Sequence, residues 1–177
     1  MKSLLFALVL AGALSACGTV TVVTDPGAYS VPGNAASPRE GTSIALLNGY
    51  PDQTMKLVSD RIQIDLRQVT DTAIYMMRRH LEKKGVTVDP NASKKVTLKI
   101  LNASMYYMAI PFSERWRTNL DLEAAFTDGT SASVRGENSA PVAFRGRVVL
   151  QRSVEGATMF AVSDMLRDKR FQAYANR

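Results

Sequence analysis

The sequence predicts an α+β fold, an antiparallel β-sheet with two helices packed on one face. Two segments carry apolar residues at steps of three and four, the spacing of one helix face: Leu66, Val69, Ala73, Met77 and Leu81, and Leu150, Val154, Ala157, Ala161 and Met165. Another segment alternates as a half-buried strand does, with Trp116, Thr118, Leu120, Leu122, Ala124 and Phe126 on one side. Since each element has one apolar face, both helices can cover the same side of the sheet.

Shorter signals place the remaining elements. The run SIALLNGY at 43–50 reads as a first strand, and residues 55–66 as a second strand or an extended lead into the first helix. Gly85 suits the end of that helix, after Lys83 and Lys84. The run KKVTLKILNASMYY at 94–107 predicts a strand, and Asp128-Gly129 a hairpin turn. Gly156 weakens the second helix by ~1 kcal/mol, unless packing against the sheet requires a small residue there.

The N-terminus leads directly to the only cysteine of the chain. Lys2 precedes a short apolar run, which is the layout of a secretory signal peptide and too short to span a membrane. Leu14-Ser15-Ala16-Cys17 resembles the lipobox of bacterial lipoproteins, Leu-(Ala/Ser)-(Gly/Ala)-Cys. The resemblance implies a diacylglyceryl group on the Cys17 sulfur, cleavage after Ala16 and an N-acyl chain on the freed amine. An ordinary cleaved signal peptide and a buried cysteine are the alternatives.

The predicted organisation has three parts, a signal peptide at 1–16, a lipidated flexible tether at 17–42 and a single periplasmic domain at 43–177. The tether is assigned from its Gly, Pro, Ser, Thr and Ala content, with a short extended piece at 20–23. By resemblance to enterobacterial sorting, in which Asp after the cysteine favours the inner membrane, Gly18 implies the outer membrane, with the domain facing the periplasm. No second apolar run approaches membrane length, so the lipid alone would hold the protein.

The charge of the mature chain is mildly positive. Removing residues 1–16 leaves 161 residues with 21 basic and 16 acidic side chains, a balance that favours anionic partners such as lipid head groups, lipopolysaccharide or cell-wall polymer. Nucleic acid is not expected at this location. The candidate anion-binding residues are Arg78, Arg79, Lys83 and Lys84 at the basic end of the first helix. A solvated helix face is the alternative for them, and His80 among them is expected on that face rather than as a pH sensor.

The residue types that catalysis requires do not form a recognisable set. His80 is the only histidine, which excludes a multi-histidine metal site, and lipid would occupy Cys17. The sequence has no phosphate-binding glycine loop and no nucleophile elbow. We therefore expect a protein without enzymatic activity, metal or cofactor, apart from the acyl chains on Cys17.

The stretch NASMYYMAIPF at 102–112 is rich in adaptable, amphipathic side chains. Methionine and tyrosine of this kind suit recognition surfaces, and the candidate interaction residues are Met105, Tyr106, Tyr107, Met108 and Phe112. The alternative is that every second residue fills the core beneath the helices.

From Asp60 to Tyr107 and onward, the chain resembles the YajG-like family of bacterial lipoproteins. The similarity lies in the lipobox, a helix ending in a Gly-then-strand step, the strand that begins VTLKI, a long hairpin and a C-terminal helix, over most of 43–170. The resemblance implies an outer-membrane lipoprotein and supplies no active site.

The predicted function is therefore that of a lipid-anchored, non-enzymatic component of an envelope assembly, with another envelope protein as its partner. Two alternatives remain open, a direct binder of an anionic glycolipid or cell-wall polymer, and an activator of a cell-wall synthase. The second requires reach across the periplasm, and a flexible tether of this length spans only ~25–30 Å.

Overall fold

The fold is that of a computed structural model, which describes residues 18–110, 113–141 and 146–177. The described chain forms strands β1 (Val20–Val22), β2 (Ser43–Asn48), β3 (Met55–Ser59), β4 (Ile62–Asp65), β5 (Thr87–Val88), β6 (Lys95–Ile110), β7 (Ser113–Phe126) and β8 (Ser131–Pro141). Its helices are α1 (Leu66–Lys83), α2 (Arg147–Arg167) and the short α3 (Lys169–Ala175). The predicted α+β class is confirmed.

The larger sheet has five strands in the order β5-β2-β6-β7-β8. Strands β6, β7 and β8 are antiparallel, and the predicted Asp128-Gly129 turn joins the last two, with Gly129 at a φ of 82° that glycine adopts without strain. Strand β2 instead runs parallel to both β5 and β6, so the sheet is mixed. That pairing joins residues distant in sequence, such as Ala45 and Lys95, and a local pattern does not specify it.

Both predicted helices form and pack on the larger sheet. Helix α1 contacts β2 and β6, α2 contacts β7 and β8, and the two helices contact each other. Helix α1 begins at Leu66 because the Asp65 side chain accepts the Arg67 N–H at 3.0 Å, which satisfies one free amide of the first turn. Gly85 follows its last residues at a φ of 77°, as predicted.

Two glycines allow α2 to approach β8 closely. A Cβ on Gly136 of β8 would lie 2.0 Å from the Ala157 carbonyl oxygen of α2. A Cβ on Gly156 of α2 would lie 2.1 Å from Nδ2 of Asn138 on β8. Packing against β8 therefore leaves little room for a larger residue at position 156, which is the exception that the sequence analysis allowed for Gly156.

The smaller sheet has three strands in the order β1-β4-β3. Residues 55–66, predicted as a strand or as an extended lead into α1, form the antiparallel pair β3–β4, and α1 begins directly afterwards. Strand β1 pairs in parallel with β4, with Val20 opposite Ile62. It coincides with the short extended piece predicted at 20–23.

Residues 18–42, called the leader below, lie against the folded body. The Thr24 hydroxyl is 2.7 Å from the Thr72 hydroxyl of α1, and both residues are buried. Leader side chains also enter the core, namely Val22, Val31 and Ala35. The structure thus differs from the predicted flexible tether. The composition is that of a linker, but apolar residues spaced along it have a surface to pack on.

Candidate functional site

The predicted lipid-attachment residue, Cys17, lies outside the described residues. The chain is described from Gly18, which is exposed, as is Thr19. Strand β1 follows immediately, and the Val20 N–H donates to the Arg61 carbonyl at 2.7 Å. Only two residues would therefore separate a lipid on Cys17 from the first hydrogen-bonded residue, Val20.

The predicted interaction residues of β6 do not share one face. Met105 is only 3% exposed and belongs to the core, so it cannot act as a surface contact. Tyr107 lies on the helix side of the hairpin, where its ring centroid is 5.7 Å from that of Trp116 in an edge-on arrangement. Tyr106, 39% exposed, lies on the opposite face. Phe112 lies outside the described residues.

A β-bulge in β6 determines which of these side chains face the helices. Ile100 pairs with Leu122, but Asn102 pairs with the adjacent Asp121, so Leu101 is the extra residue, and it is 47% exposed. The bulge moves the inward set from even to odd numbers and thereby buries Met105. The sequence signal for it is weak, since the adjacent apolar residues Ile100 and Leu101 merely interrupt the alternation.

The outward face near the end of the hairpin is amphipathic. Tyr106 lies opposite Arg117, which forms an ion pair with Glu137 of β8. The hydrogen bond that Arg117 donates to this carboxylate holds the pKa of Arg117 above its usual value. Met108 lines a shallow cavity of about 300 Å³ with these two residues and their β8 neighbours, Asn138 and Ser139. An apolar surface here borders an ion pair.

The same outward face is charged further along β7 and β8. Arg135 donates to Asp121 at 2.7 Å, and this hydrogen bond lowers the pKa of the Asp121 carboxyl. Both charges are paired across the two strands. The two charges therefore neutralise each other at this position of the sheet.

A second cavity, called the basic pocket below, lies between the last turns of α1 and the leader. Its volume is about 480 Å³. It is lined by Met76, Arg79, His80, Lys83 and Lys84, and by leader residues 29–33. Three of the four predicted anion-binding residues thus meet in one place, whereas Arg78 is exposed and does not line the pocket.

His80 is the buried residue of the basic pocket. It is 6% exposed, so its predicted place on a solvated face is wrong, and the leader that covers it was not expected to pack there. Burial lowers the pKa of His80, and Lys84 and Lys83 lower it further, while hydrogen bonds to the backbone of Ala36 and Ala35 oppose them. Nε2 has no hydrogen-bond partner within the described structure. Nε2 therefore keeps hydrogen-bonding capacity that a ligand in the pocket could use.

Glu155 of α2 is a buried carboxyl that the sequence reasoning missed. It is fully buried, and its Oε1 accepts the Asp25 N–H of the leader and the Gln151 Nε2–H at 2.9 Å. Burial raises the pKa of Glu155, although these hydrogen bonds oppose the effect. The residue stands between buried neighbours on a helix that is covered on several sides. The sequence signal for this buried carboxyl was the charge of Glu155 between the apolar residues Val154 and Ala157.

Among the described residues, no group of three or more His, Cys, Asp or Glu side chains is placed to hold a metal ion. No helix within these residues combines the length and apolar character needed to cross a bilayer.

Comparison with known proteins identifies the fold. No protein-family model and no curated protein matches the sequence. The crystal structure of the Xanthomonas campestris protein XCC0632, described as a DUF330 protein, matches with a TM-score of 0.51 at 12% identity, over 84% of this chain and 93% of that one. At this identity the match shows a shared fold and no shared function.

Two further structures are more distant. One, described only as an uncharacterized protein, has a TM-score of 0.45 at 10% identity, over 75% of this chain and 97% of that one. The other is a minor lipoprotein from Acinetobacter baumannii, with a TM-score of 0.38 at 12% identity, over 78% and 92% of the two chains. Neither similarity is strong enough to carry an argument, and the resemblance to the YajG-like family remains a prediction.

Proposed function

We propose that the chain is a lipid-anchored accessory protein of the bacterial outer membrane that binds another envelope protein and has no catalytic activity of its own. The observation that carries the proposal is the position of the lipobox cysteine directly before folded structure. Only Gly18 and Thr19 separate Cys17 from β1, whose first amide is hydrogen-bonded to Arg61.

The short connection determines how far the domain can stand from the membrane. Three residues of extended chain span at most about 10 Å, whereas a flexible tether would allow ~25–30 Å. Each buried methylene of an acyl chain contributes about 0.8 kcal/mol, so two or more chains hold the domain stably. The domain would thus work next to the bilayer, which argues against a long reach to a cell-wall synthase.

The surface that we assign to the partner protein is the outward face at the end of the β6–β7 hairpin. Tyr106 is exposed there, Met108 borders the shallow cavity, and Arg117 and Glu137 supply paired charges. Tyrosine, methionine and arginine are enriched in protein interfaces, because they combine apolar area with adaptable or directional contacts. The patch fits a protein partner better than a polymer of uniform charge.

The absence of catalysis is inferred from the sequence. The sequence has one histidine and one cysteine, and the proposed lipid would occupy the cysteine. No activity is therefore assigned to the shallow cavity at the hairpin or to the basic pocket.

The anchor is tested by mass spectrometry of the native protein and by fractionation of Cys17→Ser. We expect the mass of a triacylated N-terminal cysteine, and release of C17S from the membrane fraction. An unmodified thiol, or C17S remaining in the membrane fraction, would remove the anchor and with it the proposed function.

The partner surface is tested by site-specific photocrosslinking in intact cells. A photoreactive residue replaces Tyr106, and a matched control replaces Tyr75, an exposed tyrosine of α1. We expect a discrete crosslinked envelope protein from position 106 and none from 75, and loss of its co-purification in Tyr106→Ala/Met108→Ala but not in Tyr75→Ala. Equal results at both positions would contradict this surface.

A further inference from the structure

We propose that the basic pocket binds a phosphate group, held by Arg79, Lys83 and Lys84 with Nε2 of His80 as the buried polar contact. This site is separate from the hairpin surface, at the opposite end of α1 from β1. The proposal does not depend on the identity of the partner protein.

The three cations of the pocket are not neutralised by an ion pair within the described structure. None of the ion pairs in the described residues involves Arg79, Lys83 or Lys84. Arg79 and Lys83 are four residues apart on α1, which places them on the same side of the helix. Like charges at this spacing repel each other unless an anion lies between them.

The helix dipole could also explain why Lys83 and Lys84 lie at the end of α1, but it does not explain the pocket. Basic residues in the last turn complement the negative end of the helix dipole. This effect requires neither Arg79, one turn earlier, nor a cavity beside the side chains. The dipole itself disfavours an anion at this end, so the side chains must supply the binding.

His80 adds to the same pocket a buried polar atom without a partner among the described residues. It is more than nine-tenths buried, it lines the pocket, and its Nε2 has no partner within the described structure. A buried polar atom without a partner costs free energy that a ligand can recover. Nε2 can accept a hydrogen bond from the hydroxyl of a monoprotonated phosphate, or donate one once the ring is protonated.

Anion binding and protonation of His80 are therefore coupled. The groups that surround the ring are the cations Arg79, Lys83 and Lys84 on α1, and the Ala35 and Ala36 backbone of the leader. Two carboxylates also lie at this end of α1, Glu82 on the helix itself and Glu40, whose side chain packs against Gly85. A bound phosphate offsets the cations, so it favours the charged ring, and binding should tighten as pH falls.

The size and position of the pocket narrow the ligand class. A volume of about 480 Å³ is that of an ordinary small-molecule site and exceeds what one phosphate fills, so the phosphate is carried by an organic group. The 18 residues of α1 span about 27 Å, which separates the pocket from the anchored end. A soluble phosphate ester thus fits better than a head group of the membrane to which the chain is attached.

The single histidine makes a direct test possible. The tag-free mature lipoprotein in detergent is labelled at histidine, and the imidazole NMR signal is titrated with glycerol 3-phosphate and with inorganic phosphate, at constant ionic strength set by chloride. We expect a saturable shift and a higher His80 pKa with phosphate bound. Arg79→Gln/Lys83→Gln should weaken binding at least tenfold, whereas Arg78→Gln, one residue away and outside the pocket, should weaken it less than threefold.

Two further experiments test the role of His80 and the origin of the phosphate group. His80→Gln, followed by calorimetry, should bind more weakly and lose the pH dependence, and the thermal transition of each variant checks that it folds. Flotation of the C17S chain with phosphatidylglycerol vesicles distinguishes a lipid phosphate from a soluble one. If the chain binds the vesicles, R79Q/K83Q abolishes this binding and soluble phosphates give no response, the phosphate group belongs to a lipid head group. The absence of any saturable response, or equal losses in R78Q and R79Q/K83Q, would overturn the proposal.

Discussion

Helices α1 and α2 pack side by side on the same sheet, yet they are buried differently. Helix α1 has a side-chain cap at Asp65 and a largely exposed outer face, including Arg78, Arg79 and Glu82. Helix α2 has no side-chain cap, and its buried residues include the run from Ser153 to Thr158. A helix that is buried on several sides must be covered by something besides the sheet.

The additional cover is the leader. Strand β1 contacts α2, the Asp25 N–H reaches Glu155, and Thr24 reaches Thr72 on α1. The leader then continues along α1 to the basic pocket. The two helices therefore differ because residues 18–42 form a further layer of the domain.

Removing the leader should have the largest effect. In the C17S background, deletion of 18–42 would expose the outer side of α2 and leave β4 without its parallel partner. We expect loss of cooperative unfolding, measured by circular dichroism during urea titration. A leader replaced by a Gly/Ser segment of equal length should behave like the deletion, and retention of wild-type stability by either variant would show that the leader is only a tether.

Adding a side-chain atom at the close contact between α2 and β8 should have the next largest effect. Gly136→Ala places a Cβ against backbone atoms of α2, at 2.0 Å from the Ala157 carbonyl oxygen, and backbone cannot move aside as a flexible side chain can. We expect a loss of about 3 kcal/mol in the free energy of unfolding, from the urea midpoint. Gly33→Ala, where a Cβ meets nothing within 4 Å, is the matched control and should be neutral.

Substitutions at Glu155 should separate its hydrogen bond from its charge. Glu155→Ala leaves the Asp25 N–H without an acceptor and should be about 2 kcal/mol less stable than Glu155→Gln, which retains one. Burial raises the pKa of Glu155 in the folded state, so the folded chain binds more protons than the unfolded chain. The wild type should therefore lose stability relative to E155Q as pH rises through and above the ordinary pKa of 4.5. A constant difference between pH 4 and pH 8 would contradict the buried carboxyl.

The cap of α1 should have the smallest effect of this series. Asp65→Ala removes the acceptor for the Arg67 N–H and should cost about 1 kcal/mol, measured by urea unfolding. Asp60→Ala, in the exposed turn between β3 and β4, changes the net charge equally and should leave the midpoint unchanged. A cost at Asp60 equal to that at Asp65 would assign the effect to charge.

Elements with a strong local period were predictable from the sequence. The stripe of α1, the alternation of β7 and the turn at Gly129 depend on neighbours within a few residues, and all three are observed. The small residue at Gly156 could also be anticipated, because glycine inside a helix requires a reason.

Features set by distant contacts were not predictable. The parallel pairing of β2 with β6 joins Ala45 to Lys95, and the bulge at Leu101 reverses the faces of the residues that follow it. The sequence grouped the basic residues of α1 but did not predict the basic pocket. Helical spacing brought Arg79 and Lys83 together, but the burial of His80 depends on a leader whose composition suggests a linker.

Amide hydrogen exchange of the mature chain reports directly on whether the leader is part of the fold. The Val20 N–H, bound to the Arg61 carbonyl, and the Asp25 N–H, bound to Glu155, should exchange many times more slowly than in a free peptide. Exchange at both positions at the rate of an unstructured chain would contradict a folded leader. Helix α2 would then lack this cover, and residues 18–42 would be a flexible tether.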